Sequence, residues 1–476
     1  MEGPLSERNS RDITPDQMYN MLTGIKKTAA GLDKIPFWFL NQTALYISAP
    51  LAHLFNISLA SSYVPPQWKT ASILPVPKTN PVISPSDLRP ISLTPILSRL
   101  MEKYIVKEHI TPILLQPTFN SQFAFKPTGS TTAALIAITS FVSRELERVP
   151  YVRCFALDFS KAFDRVSHGA LFEKLATYNL PVNIYNWLQA FFTNRSHSTC
   201  LNSTVSSCLS ITASVVQGSA LGPPVFVLNG TDLKPMSSAN YMPVYADDTY
   251  LLVPSDNESS IQDEFDAISA WATKNNIPLN RQKCNEIIFH KPRTKISAPS
   301  ITVCGTIIPR VVDIKILGVT FTDTLSVSPH VREVTADCKG RLYALSVLRR
   351  HGLDSATLDQ IFVSLVLNKI LYASPAWSGY MSAADQASLQ AIVNKGVRWG
   401  LAADLHDIAT LMSAASSTLF HQILNNHNHS LYHLLPPIKQ NSYNLRPRAH
   451  SHLIPRVSTR LNSCSFISRM LAKDSY

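Results

Sequence analysis

The chain is 476 residues long and 45% hydrophobic, ample for a buried core and too long for one compact lobe, so about three domains or one lobed enzyme are expected. It carries 43 Lys+Arg against 32 Asp+Glu, a net charge of +11 with a pI near 9.2, a balance that suits a polyanionic partner and equally suits plain solubility. No signal-peptide h-region opens the chain, no run of about 18 apolar residues occurs, and seven scattered cysteines without a C-x-x-C pair argue against a disulfide framework or zinc knuckle and suit a reducing compartment.

Apolar residues at helical spacing predict a helix over 36–60. Residues 70–77 read as a short strand ending at Lys78. Residues 131–147 read as a helix running into Arg144, Glu145 and Glu147. Residues 151–157, rich in aromatic and β-branched side chains, read as a strand. Residues 243–253 read as two short strands with Asp247 and Asp248 at the turn between them. Amphipathic helices are predicted over 260–275 and 331–350, and two more helices over 355–400. The 32 prolines are spread out and mark turns such as Val64-Pro65-Pro66 and Leu435-Pro436-Pro437. The C-terminal third is the electropositive end, with 13 Lys+Arg against 6 Asp and no Glu in residues 341–476.

Asp158 closes a predicted strand, and Asp247 and Asp248 sit at a hairpin tip. If the two elements are neighbours in one sheet, three carboxylates converge, and like charges that close repel unless cations join them. Two divalent ions would relieve the repulsion and would clamp the attacking and leaving oxygens of a phosphoryl displacement. Mg²⁺, hard and oxygen-seeking, is the natural ion. The plainer alternative is a turn in which Asp side chains bond nearby backbone.

The segment Leu157-Asp158-Phe159-Ser160-Lys161-Ala162-Phe163-Asp164 resembles the first palm motif of reverse transcriptases from non-LTR, jockey-like retrotransposons. Gln217-Gly218-Ser219-Ala220-Leu221-Gly222-Pro223 resembles their second motif, and Tyr245-Ala246-Asp247-Asp248 their third. The flanks are similar too: Leu88-Arg89-Pro90-Ile91-Ser92-Leu93, the 122–131 segment beginning Gln122-Phe123-Ala124-Phe125-Lys126, Trp271 through Asn280 and Lys283, Ile316-Leu317-Gly318-Val319, and Leu371-Tyr372-Ala373-Ser374-Pro375-Ala376-Trp377. The resemblance implies an α+β right-hand polymerase: an N-terminal extension (1–60), fingers (61–150), a palm with an antiparallel sheet (151–325), a helical thumb (326–400) and a basic C-terminal tail (401–476).

It also implies roles. Asp158, Asp247 and Asp248 would hold two Mg²⁺ ions, with Mn²⁺ the alternative and the Phe159 carbonyl as a further ligand. One ion would activate a primer 3′-hydroxyl and the other hold the triphosphate. Phe163 would lie under the sugar and exclude a 2′-hydroxyl; a core aromatic is the rival reading. Gln217 and Gly218 would line the nucleotide pocket, with Gly218 allowing close backbone approach to substrate. Arg89 and Lys78 would meet the triphosphate, Lys283 would act as acid for pyrophosphate, and Leu317 and Gly318 would grip the primer end. Asp164 reads as a solvent-facing or helix-capping residue more readily than a catalytic one. Arg341, Arg349, Arg350, Lys395 and Arg398 of the thumb would touch phosphates, and the tail, with Lys439, Arg446, Arg448, Arg456, Arg460, Arg469 and Lys473 against Asp474, would bind nucleic acid while poorly ordered.

The partners implied are an RNA template, a DNA primer and dNTPs, with no membrane. The location implied is intracellular, in the nucleus and in cytoplasmic ribonucleoprotein. Only about 20 residues precede the recognisable region and the last third lacks Glu, so neither an apurinic-type endonuclease nor an RNase H domain is expected. The rival functional reading is a decayed element whose product binds RNA without catalysis. A group II intron maturase or telomerase-like enzyme is a third.

Overall fold

The computed structural model describes residues 12–202, 204–211, 213–303, 305–439 and 450–473. Thr14 opens α1 (Pro15–Thr23) with a capping box to Gln17. The helix expected over 36–60 is two, α2 (Phe37–Gln42) and α3 (Ala44–Ala60), which meet at Thr43. The N-terminal segment joins the fold: Met18, Leu22, Phe55 and Leu59 share one core with Leu100, Trp187 and Phe265.

Strands β1 (Thr70–Pro77) and β2 (Leu88–Leu93) pair antiparallel, and α4 (Ile96–Ile105) follows. The long helix α5 (Thr131–Arg148), capped by Ser130, leads into β3 (Tyr151–Leu157). Strand β4 (Arg195–Leu201) then returns to lie parallel to β1, with Thr70 opposite Ser196. Part of the 151–325 stretch thus completes the sheet begun at residue 70.

After α6 (Gly222–Asn229) come β5 (Val244–Tyr245), β6 (Asp248–Pro254), α7 (Ile261–Lys274) and β7 (Asn285–His290). Together with β3 they form a four-stranded antiparallel sheet in the order β5-β6-β3-β7. Both faces of its centre are buried, so β3 and β6 read as continuous apolar runs rather than alternating ones. Val152, Cys154 and Leu252 face one core, while Phe155, Leu157, Leu251 and Val253 face the other. Inside β3 the fully buried Arg153 is held by Glu258 and Glu286, each at 2.5 Å, and Glu286 takes Arg310 at 2.7 Å. Removing one partner would strand a buried charge, so this network fixes β3 against β7.

The hairpin β8 (Asp313–Ile316) and β9 (Val319–Thr322) precedes α8 (Ser328–Arg350), which packs on α9 (Ala383–Arg398). Between these two helices, the helical stretch Ser355–Tyr380 is long and apolar enough by composition to cross a membrane. It is broken by Ala373, whose φ of 51° is left-handed, and it lays Phe362, Val366, Ile370 and Trp377 into the core, which makes it an element of the fold.

The expected loose tail is a correction. Helix α10 (Ile408–Leu424) and helix α11 (Phe466–Ala472) pack on one another, and α11 also packs on α5. Phe466, Ile467, Met470 and Leu471 are buried there. These apolar residues seat the segment, and Arg469 and Lys473 add hydrogen bonds to the Pro375 carbonyl and to Ser413 and Ser417. Arg446, Arg448 and Asp474 fall outside the described residues.

Candidate active site

The site begins where β3 can no longer be buried. The register pairs Leu157 with Thr249, so one step further Asp158 comes opposite Asp248, and such cross-strand neighbours point to the same face. Tyr245 pairs with Asp248, which leaves Ala246 and Asp247 as the turn. Ala246 has φ 58°, a conformation an L-residue adopts at a cost of about 1–2 kcal/mol, so the tight turn that projects Asp247 is a strained one.

Asp247 and Asp248 remain accessible to water, yet the surrounding protein is dense enough to penalise their charged forms. Burial first, then Asp247 and Asp158, push Asp248 up to about 6. Asp247 is also raised by burial and by Asp158; its own backbone amide and Arg89 hold it back. The three carboxylates therefore feel one another. Among the described residues no three His, Cys, Asp or Glu side chains are closed into a ready cage for an ion. The donor set, oxygen only and reachable from solvent, fits a hard divalent cation.

The chain beyond Asp158 is pinned from the other side. Asn280 donates its amide to the Asp158 carbonyl at 2.7 Å, and Ser160 donates to the Pro278 carbonyl at 2.9 Å. These bonds bracket Phe159 and leave its carbonyl out of the ladder, while its ring is buried on Trp271 at 5.6 Å. Lys283 is exposed at the turn that follows Asn280.

Phe163 is half-buried. It stacks on Phe226 at 4.2 Å and meets Phe125 edge-on at 6.5 Å, so it belongs to an aromatic cluster open on one side. The loop at Gln217 and Gly218 is bound to β2, where the Gln217 carbonyl accepts from Ser92 N at 2.7 Å. Gly218 has φ 103°, and a Cβ there would lie 2.6 Å from the Ser92 carbonyl. The close backbone approach that this glycine permits is therefore made, in this structure, by β2. Arg89 lies exposed on β2, near enough to Asp247 to lower its pKa. The Lys78 ammonium donates to the Ser86 carbonyl at 2.9 Å and helps close the β1–β2 hairpin.

Leu317 (φ 45°) and Gly318 (φ 85°) form the two-residue turn of the β8–β9 hairpin, both left-handed as the tightest hairpin turns require. The Leu317 amide reaches the Tyr250 hydroxyl, two residues from Asp248. The Tyr372 hydroxyl sits 3.0 Å from the Leu317 carbonyl and 3.1 Å from Thr131 Oγ1, so it donates to the first and accepts from the second.

Sequence reasoning gave no role to Glu102, which is fully buried on α4. It accepts from the amides of Ala220 (2.8 Å) and Leu221 (3.2 Å) and from the Ser98 hydroxyl (2.9 Å). Burial raises its pKa, while Arg195 and these donors oppose the shift. Glu102 thus holds the loop that carries Gln217 at the start of α6. A lone Glu in a helix has no signal that could have announced this.

Residues 76–321 match the family described as Reverse transcriptase (RNA-dependent DNA polymerase). The chain belongs to that family and has its mixed helix-and-sheet, right-hand fold. It is 27% identical over 420 residues to the probable RNA-directed DNA polymerase from transposon BS of Drosophila melanogaster, covering 84% of this chain and 46% of the relative. It is 29% identical over 381 residues to the RNA-directed DNA polymerase from mobile element jockey of the same organism, covering 76% and 41%. The chain thus spans less than half the length of these relatives. A telomerase structure from Candida tropicalis aligns with 78% of this chain and 60% of its own at 12% identity and a TM-score of 0.41, too loose to argue from.

Proposed function

We propose that this chain is the polymerase core of a retrotransposon enzyme, which adds dNTPs to the 3′-hydroxyl of a DNA primer on an RNA template. The observation that carries the reading is the register of β3 against β6. It sets Asp158 beside Asp248, with Asp247 at the adjoining turn. Family members of this kind use divalent metal ions. Two Mg²⁺ ions, or Mn²⁺, would polarise the primer hydroxyl and neutralise charge developing on the triphosphate.

The chain's own residues do the rest. Asp158, Asp247, Asp248 and the Phe159 carbonyl offer oxygens. Arg89 presents a guanidinium fork to phosphate, and Lys78 and Lys283 supply further positive charge at the rim. Phe163 packs under the sugar, Gln217 and Gly218 form the wall beside it, and the Leu317–Gly318 turn holds the primer end. The enzyme would work within an intracellular ribonucleoprotein, in cytoplasm and nucleus.

The test is primer extension on an RNA template with Mg²⁺. Asp247→Asn keeps the size and removes a charge; extension should fall by at least about a thousandfold, an amount of the order lost with one well-placed electrostatic group. A second readout needs no turnover. The raised carboxylates mean that ionised Asp247 and Asp248 repel in the folded state above about pH 6, so a bridging cation should stabilise the fold there. Mg²⁺ should raise the Tm of the wild type at pH 7.5 and raise that of Asp247→Asn less. Wild-type-like extension by the variant would sink the assignment. A folded wild-type chain that binds RNA and never extends would favour the decayed element.

A further inference from the structure

We propose that Asp164 is a positioning residue: it sets which end of the Gln217 carboxamide faces the nucleotide cleft, and through this sets nucleotide affinity. The inference rests on the polymerase reading and deepens it. Gln217 Nε2 donates to Asp164 Oδ1 at 2.6 Å. An ionised carboxylate offers only acceptors, so the amide group must be the end that turns toward Asp164. The carbonyl oxygen of Gln217 is left as the other end, an acceptor.

The bond is held by rigid supports on both sides. Asp164 N donates to the Lys161 carbonyl at 2.9 Å, and the Phe163 carbonyl accepts from Val215 N at 2.9 Å. Across from it, the Gln217 carbonyl takes Ser92 N at 2.7 Å, and Gly218 lies flush against the Ser92 backbone. Asp164 itself is half-buried, so its bond to Gln217 is partly shielded from competing water. Without Asp164 the carboxamide is free to turn over, and an NH₂ would then face a group that the carbonyl oxygen would have accepted from. The matching ligand group is a hydrogen-bond donor shared by all four nucleotides.

The experiment is steady-state extension with each of the four dNTPs on one RNA template, together with primer–template binding and Tm. In Asp164→Ala, kcat/KM for dNTP should fall by at least about tenfold, mostly through KM and alike for all four, while primer–template Kd stays put. Asp164→Asn keeps an acceptor without a charge and should restore most of the loss. In a Gln217→Ala background, Asp164→Ala should cost little more, because the two act as one unit.

Additive losses would overturn the proposal, as would an Asp164→Asn variant as impaired as Asp164→Ala, or an effect that spares one base. An unchanged KM in a folded Asp164→Ala enzyme would also overturn it. A wild type that extends no primer would instead fail the polymerase reading, so the two failures are distinguishable.

Discussion

Phe163 and Gly218 show what a motif carries and what it leaves out. Gly218 reads as a glycine that lets backbone approach closely; its φ is 103°, and a Cβ there would lie 2.6 Å from the Ser92 carbonyl, a neighbour the motif does not announce. Phe163 was legible as an aromatic five residues past Asp158. Its stacking partner Phe226 was not, because a pair 63 positions apart leaves no trace in local pattern. The stack makes the ring stiff, and a stiff ring in a packed site does not yield to an extra hydroxyl. Phe163→Val should therefore lower the ratio of kcat/KM for dNTP over rNTP by at least about tenfold, about 1.4 kcal/mol of discrimination. A ring that served only the core would give a lower Tm and equal losses on both substrates. Measuring both rates and the melting curve on one preparation separates the two, and an unchanged ratio in a folded variant rejects the gate.

At the scale of elements, the strands at 70–77 and 151–157 and the helix at 131–147 were readable because each is a short apolar run with clear punctuation. The Asp-Asp hairpin was readable from its turn. What no local pattern conveyed is pairing: that β4 crosses back to β1, and that Asn280 holds Asp158. The β8–β9 hairpin shows the same divide. Its Leu317-Gly318 turn is written in sequence, whereas its anchor, the Tyr372 hydroxyl, lies 55 residues on. That hydroxyl ties the hairpin to Thr131 at the start of α5. Tyr372→Phe removes one neutral hydrogen-bonding group and keeps the ring against Gly318. The lost bond is worth about 0.5–1.5 kcal/mol, so kcat for extension should fall roughly two- to tenfold as the hairpin loosens. KM for dNTP should not move, since the nucleotide pocket is formed by other elements. If KM rises instead and kcat holds, the hairpin does not act on the primer end.

At the scale of the whole molecule, a poorly ordered C-terminal tail is expected from the sequence, and the described part of that segment packs against the rest of the chain. The tail, 401–476, is basic, yet its apolar residues pack among the described elements. Leu471 is fully buried in α11, which lies on α10 and on α5, the helix that leads into the catalytic strand. Thr128 reaches Ser430 at 3.1 Å, and Glu147 accepts from the Ser458 amide at 2.8 Å, so both ends of α5 are bridged to the C-terminal segment. Leu471→Ala removes three buried carbons and leaves a hole that a helix fixed on two sides cannot fully close. It should cost about 2–5 kcal/mol of stability, a large share of what a domain has in hand. Urea unfolding should show the midpoint falling with an unchanged slope, and RNA affinity measured well below the midpoint should keep its salt dependence, since no phosphate-binding charge is lost. A tail lying free in solvent predicts the reverse for a truncation at 450: unchanged stability and a flatter salt slope. If Leu471→Ala leaves the urea midpoint where it was, α11 is not part of the folded core.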